Sequence, residues 1–244
     1  TCESTGNTGR RGTHVTLAKD FLSVLDLSPD NLGRLLDLAT QLKAERRLGP
    51  HAPTASALAG RHVAMLFEKP SLRTRSTFEI AARELGANAL HVPAEFAAGV
   101  REPLEDVARN LERWVHGLVV RTYAQEKVAT MAAAARCLHV INALSDEQHP
   151  CQALADMLTL QERWKTLRGR RLAFVGDGNN VATSLAHATA LLGMSLHIAS
   201  PRGHELPETV TQAAARVGQG GTIQLFADPR EAVAGAEAVY TDVW

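Results

Sequence analysis

AMLFEKPSLRTRSTFEIAAREL, residues 64–85, carries the reading of the fold. Ala64–Phe67 is a short apolar run of the kind that fills a buried strand. Ser71 to Leu85 has the spacing of an amphipathic helix, with Phe78, Ile80, Ala81, Ala82 and Leu85 on its apolar side. A strand that runs straight into a helix is the unit that, repeated, builds a parallel sheet covered on both faces.

The alternation extends outward in both directions. Before it, Ser28 caps a helix that opens with Pro29, and Leu32, Leu35, Leu36, Leu38 and Leu42 form its apolar face. After it come a strand at Leu90–Val92, a helix from Pro103 to Trp114 and a strand at Leu118–Arg121. A helix from Gln125 to Ala135, a strand at Val140–Asn142 and a helix from Pro150 to Trp164 complete a first block. Thr166-Leu167-Arg168-Gly169-Arg170 reads as a hinge. Beyond it, strands at Arg171–Val175, Ser195–Ala199, Thr222–Phe226 and Ala238–Val243 alternate with helices at Val181–Leu192, Thr209–Val217 and Asp228–Ala234. The expected fold is α/β: two doubly wound parallel-sheet domains, the second incomplete, because the chain stops inside a strand pattern at Trp244. The expected division is a disordered leader at 1–16, a first domain at 17–165 and a second at 166–244.

With 244 residues the chain can bury a sizeable core unaided. Lys plus Arg and Asp plus Glu are equal at 26 each, so no overall basic charge points to nucleic acid and any anion site must be local. Aromatics at 5% also disfavour stacking platforms for single strands. No apolar run reaches the roughly 18 residues that a membrane span needs, and TCESTGNTGRRGTHVTLA lacks the apolar core of a signal peptide. Cys2, Cys137 and Cys151 form an odd set without CxxC spacing, which argues against a disulfide framework or a zinc site and for a cytoplasmic protein. The histidines form no HxxxH or HExxH pair, so no metal is expected.

Ligands of parallel sheets bind beyond the carboxyl ends of strands, where helix N-termini point. Three motifs fall at such turns. At Ser71–Arg75, SLRTR, the hydroxyls of Ser71 and Thr74, free backbone N–H groups and the Arg73 guanidinium converge on a helix start. Two arginines in a first turn oppose the helix dipole, an arrangement that a bound anion relieves, though a capped helix with solvated arginines has the same pattern. At His149–Gln152, HPCQ, the imidazole hangs at another helix start with Gln152 one turn in. A His there can donate to a carbonyl oxygen and a Gln can bind an amide, while Cys151 reads as a small buried residue rather than a nucleophile. At Gly176–Asn180, GDGNN imitates a dinucleotide fingerprint, but Val181 stands at the sixth position and the next strand ends at Ser200 without an acidic residue. Arg121 and Asp242, each at a strand end, are further candidates for charged contacts.

Together these motifs resemble the aspartate/ornithine carbamoyltransferase family, from about Phe21 to Trp244. SLRTR is similar to that family's STRTR carbamoyl-phosphate motif and HPCQ to its second signature, while REP at Arg101–Pro103 and GDGNN resemble its ornithine branch. The resemblance implies that Ser71, Leu72 through its backbone, Arg73 and Thr74 bind the phosphate of carbamoyl phosphate. It implies that Arg121, His149 and Gln152 bind the carbamoyl end, and that Asn180 and Asp242 contact L-ornithine. Arg73, Arg121 and His149 are the implied catalytic residues. It further implies carbamoyl transfer to the ornithine side-chain amine, giving citrulline for arginine biosynthesis, by a homotrimer without cofactor, metal, nucleic-acid or membrane partner. Leu72 stands where the family has Thr, Ala97 where members often carry Gln or His, and the chain stops before the family's SMG and HCLP motifs. Rival readings are a carbamoyltransferase for putrescine or another amine, and a truncated, inactive anion-binding fragment. A nicotinamide dehydrogenase fails on Val181 and Ser200.

Overall fold

The structure, a computed structural model, describes residues 18–97, 99 and 101–242. The expected leader at 1–16, with Cys2, and Val243, the last residue of the expected final strand, lie outside the described residues. Two four-stranded sheets form, and every strand pair in them is parallel. The first contains β1 (His62–Phe67), β2 (Asn88–Val92), β3 (Gly117–Arg121) and β4 (His139–Leu144) in the order β2-β1-β3-β4. The second contains β5 (Arg171–Val175), β6 (Ser195–Ala199), β7 (Ile223–Phe226) and β8 (Ala238–Thr241) in the order β7-β6-β5-β8. The connecting helices are α1 (Pro29–Glu45), α2 (Leu72–Glu84), α3 (Leu104–Leu111), α4 (Gln125–Ala134), α5 (Pro150–Trp164), α6 (Asn180–Leu191), α7 (Glu208–Val217) and α8 (Pro229–Val233).

Burial along the strands follows their place in the sheet. The inner strands β1, β3, β5 and β6 have buried centres, the signature of strands covered on both faces. The edge strands β2, β7 and β8 contain no buried residue, so their ends are harder to read from hydrophobicity. Each strand of the first sheet starts earlier than its apolar run, because partner strands hydrogen-bond polar residues such as His62 and His139 as readily as apolar ones. The expected helix from Pro103 to Trp114 is shorter: Pro103 is the cap, in extended backbone, and regular helix ends at Leu111. Ser28 does cap α1, its side chain accepting from the Asn31 N–H at 3.2 Å, with Pro29 in the first turn.

One face of the first sheet packs Leu66, Leu118, Val120 and Val140 against Val107 and Leu111 of α3 and Val128 and Met131 of α4. The second core gathers Leu172, Phe174, Leu196 and Ile198 with α6, and it also takes Leu32 and Leu36 from α1 and Met157 from α5. These two helices, early and middle in the chain, thus join the second sheet to the first. α6 is buried along its whole length from Val181 to Leu191, including His187. Cys151 is a free thiol. Among the described residues, no helix is long and apolar enough to cross a membrane and no cluster of His, Cys, Asp and Glu could hold a metal ion.

The glycine-rich turn after β5 is shaped by chain packing. A Cβ on Gly178 would lie 2.3 Å from the Leu206 nitrogen, and the Gly178 N–H donates to the His204 carbonyl at 2.7 Å. The space a fingerprint glycine would open for a pyrophosphate is filled here by the protein's own backbone. Gly178→Ala is expected to cost about 1–3 kcal/mol through overpacking, read as a lower urea midpoint; an unchanged midpoint would mean that Glu205 and Leu206 yield freely.

His187 supplies a second expectation. It is 3% exposed, and neither ring nitrogen has a hydrogen-bond partner. Burial holds its pKa down at about 4, against 6.5 for a free imidazole. The unfolded chain therefore binds the extra proton first. Stability from the neutral ring is complete above pH 6.5 and is lost as pH falls toward 4. Between pH 8 and pH 5 this one group should remove about 2 kcal/mol, and His187→Leu should flatten that part of the stability–pH curve.

Candidate active site

The loop after β1 ends on a cap built by its own sequence. Ser71 takes extended backbone, its hydroxyl accepts from the Thr74 N–H at 3.3 Å and donates to the Thr74 hydroxyl at 3.0 Å. The N–H groups of Leu72 and Arg73 lie in the first turn, where no intrahelical acceptor exists. The Leu72 side chain is 82% exposed, so this residue offers the loop its backbone rather than its side chain. The loop is tied down from behind. Glu68 accepts from Lys127 at 2.7 Å and from the Thr122 hydroxyl, and its N–H donates to the Arg121 carbonyl at 2.8 Å. Burial opposes ionisation of Glu68, but Lys127 and Thr122 outweigh it and hold its pKa below the usual carboxylate value.

Arg121 ends β3, and there the register with β4 slips. Val120 faces Asn142, but Arg121 faces Leu144, which leaves one extra residue on β4. Such irregularities re-aim a side chain at a strand end. The guanidinium is half-buried, and its Nε is enclosed with no hydrogen-bond partner. Burial and then the neighbouring Arg73 charge press its pKa down, yet a guanidinium stays cationic. A buried donor left unmade costs about 1–3 kcal/mol, more when charged, and an anion between Arg73 and Arg121 removes that cost.

His149 precedes α5 and is the third group of this cluster. Its backbone N–H donates to Ser184 Oγ at 2.8 Å, and Ser184 in turn donates to Gln148 Oε1 at 3.2 Å, which fixes the entry of the helix. Its Nδ1 is enclosed and unpartnered. Burial, then the Arg121 charge, lowers the imidazole pKa to about 4 against a raising effect of Asp242. The ring is therefore neutral near pH 7 and can donate one N–H without adding a third positive charge. Gln152, one turn on, donates from Nε2 to Asp156 Oδ1 at 2.9 Å. Cys151 is half-buried, and burial pushes its thiol up to about 12, which excludes a thiolate nucleophile.

The second sheet brings its own strand end to this cluster. Asn179 caps α6, accepting from Val181 and Ala182 N–H groups at 2.9 and 3.1 Å, and its Nδ2 donates to Asp242 Oδ2 at 3.0 Å. Asn180 donates to the Ser145 carbonyl, in the turn that leads to His149. Arg73, Arg121, His149 and Asp242 are thus linked by mutual charge effects, and Ser71, Leu72 and Thr74 share the Arg73 helix start. Asn180 sits at the joint between the sheets, and Gln152 turns its amide nitrogen toward Asp156.

The sequence reading did not single out Asp156, Ser184 or Tyr240, and it read Asn179 with Asn180 as suited to a polar, zwitterionic ligand rather than as a helix cap. Asn179 was accessible through its capping position. The Gln152–Asp156 pair was accessible through its i, i+4 spacing. Ser184 and Tyr240 carry no local signal. A concavity of about 550 Å³ between α1 and α2 lies away from all of these residues, and its charges are already paired, Arg46 with Glu84 at 2.9 Å and Arg83 with Glu79 at 2.6 Å.

Comparison with known proteins shows the family and the fold. Residues 19–162 match the family model for the aspartate/ornithine carbamoyltransferase carbamoyl-P binding domain, and residues 168–244 match that for the Asp/Orn binding domain. The chain is 48% identical over 230 residues to the ornithine carbamoyltransferase of Parafrankia sp. (strain EAN1pec), covering 93% of this chain and 72% of that protein. The crystal structure of ornithine carbamoyltransferase from Thermus thermophilus is similar with a TM-score of 0.84 at 44% identity, over 94% of this chain and 75% of that one. Ornithine carbamoyltransferase from Pyrococcus furiosus gives a TM-score of 0.87 at 40% identity, over 95% of this chain and 74% of that one. The chain belongs to the aspartate/ornithine carbamoyltransferase family of enzymes.

Proposed function

We propose that the chain transfers the carbamoyl group of carbamoyl phosphate to the side-chain amine of L-ornithine, giving L-citrulline and phosphate. The observation that carries this reading is the uncompensated positive cluster of Arg121 and Arg73 beside a helix N-terminus, with a neutral His149 next to it. A dianionic phosphate matches the charge, and a carbonyl oxygen matches the remaining N–H donors.

In this reading the N–H groups and hydroxyls of Ser71, Leu72 and Thr74, with Arg73, hold the phosphate. Arg121, His149 and Gln152 hold the carbamoyl group. Asp242, kept in place by Asn179, orients the cationic or amine end of ornithine, and Asn180 lines the same joint. The neutral amine attacks the carbamoyl carbon, and the π pair of the carbonyl moves onto oxygen. Arg121 and His149 stabilise that oxyanion, a contribution typically about 2.7–4 kcal/mol per preorganised donor. The carbon–oxygen bond to phosphate then breaks, and the leaving group departs with the electron pair and takes the amine proton. Approach of the two sheets aligns the reactants and keeps water from the labile acyl phosphate. The domain division at 166, the homotrimeric assembly, the cytoplasmic location and the place in arginine biosynthesis belong to the same proposal and rest on the family resemblance.

Thermal unfolding tests the first substrate site directly. Carbamoyl phosphate at 100 times its dissociation constant should add about 2.7 kcal/mol of stability. Arg73→Ala should weaken that binding at least tenfold, the scale of a lost charge-assisted pair. Full protection of the variant by carbamoyl phosphate would overturn the phosphate role of SLRTR.

A further inference from the structure

Asp156 lies in the middle of α5, one turn beyond Gln152, and no motif singles it out. Its Oδ1 accepts from Gln152 Nε2 at 2.9 Å. Its Oδ2 is enclosed and has no hydrogen bond of good geometry, although the Tyr240 hydroxyl on β8 lies close enough to stabilise the charge. Asp242, at the end of the same strand, faces it as a second carboxylate. Asp156 is therefore placed between the glutamine of one sheet's site and the strand that carries the acid of the other.

An ionised carboxylate is an acceptor only, and a primary amide is a donor at nitrogen and an acceptor at oxygen. Bound to Asp156, Gln152 must direct its nitrogen away from the site and its oxygen toward it. The site is otherwise rich in donors: Arg73, Arg121, His149 and helix N–H groups. The NH₂ of a carbamoyl group needs an acceptor, and an unfixed amide would meet it with its own NH₂ as often as with its oxygen. We propose that Asp156 is a positioning residue that locks the Gln152 amide with Oε1 toward the carbamoyl NH₂, so that the site distinguishes carbamoyl phosphate from other acyl phosphates. This rests on the proposed reading of Gln152 as a carbamoyl contact. Burial pushes the Asp156 carboxyl up to about 6, against Gln152 and Tyr240 and with Asp242, so the carboxylate is ionised at pH 8.

Acetyl phosphate isolates the contact, because it keeps the phosphate and carbonyl and replaces NH₂ by methyl. Dissociation constants for carbamoyl and acetyl phosphate are measured at pH 8 by calorimetry on the wild-type chain, Asp156→Asn, Gln152→Ala and the double variant, with thermal unfolding of each alongside. In D156N the Tyr240 hydroxyl takes the new amide oxygen, and the amide nitrogen meets Gln152 and draws its oxygen away from the site. Carbamoyl phosphate should then bind about fivefold more weakly, the scale of one hydrogen bond, and acetyl phosphate within twofold of wild type. D156N should add nothing in the Q152A background, since the residue acts through Gln152. An equal loss for both ligands, or no loss in D156N while Q152A selectively loses carbamoyl phosphate, overturns the inference and leaves the reading of Gln152 intact. Unchanged selectivity in Q152A overturns the reading of Gln152 itself, and this inference with it. Should D156N not fold, D156A, which frees the amide to turn, carries the same comparison.

Discussion

Positive charge held at the carboxyl end of a buried strand governs the rest of this molecule. Arg121 follows three buried residues of β3, and its Nε is enclosed without a partner. A guanidinium cannot shed its proton to escape such a place, so its surroundings are arranged around the charge. The slip in register at Val120 and Arg121 turns the strand end, and Glu68 and Lys69 close over the Arg121 carbonyl at 2.8 and 3.4 Å. His149 is kept neutral beside it, and Asp242 reaches in from the other sheet. The apolar cores on either side serve as rigid mounts for this one electrostatic demand.

The joint between the sheets is polar beside Arg121 and His149 and apolar behind. Asn180 on Ser145 and His149 on Ser184 are single hydrogen bonds that cross from one strand–helix unit to the other. Behind them, Leu32, Leu36 and Met157 enter the core of the second sheet. Sliding of the polar contacts costs little compared with opening that core.

The alternation of strand and helix was legible because buried parallel strands read as uninterrupted apolar runs, as in Ala64–Phe67 and in residues 172–175. Helix starts were legible where a cap and a proline coincide, as at Ser28-Pro29 and His149-Pro150. The 3₁₀ turns at Val24–Asp26, Arg46–His51 and Ala94–Ala97 had no periodicity to reveal them. In the site, Arg73 was visible because it opposes the dipole at a helix start, and His149 because it stands just before Pro150 at another. Asp156 breaks none: a polar residue on a helix near Gln152 looks like ordinary surface until β8 is laid against it. Gly178 was read with its motif, but its reason is the backbone of Leu206, which approaches from a separate segment.

The shared core has a consequence for synthesis on the ribosome. Leu32 and Leu36 leave the exit tunnel early, but the cluster they belong to includes Phe174 and Leu185, which emerge only after the whole first sheet. Until then only α5, through Ala153 and Met157, can cover part of the apolar stripe of α1. Contacts between such distant parts of the chain are the slow ones, and exposed stripes of this kind are what chaperones recognise. Completion of this core therefore waits until Phe174 and the residues after it have been made.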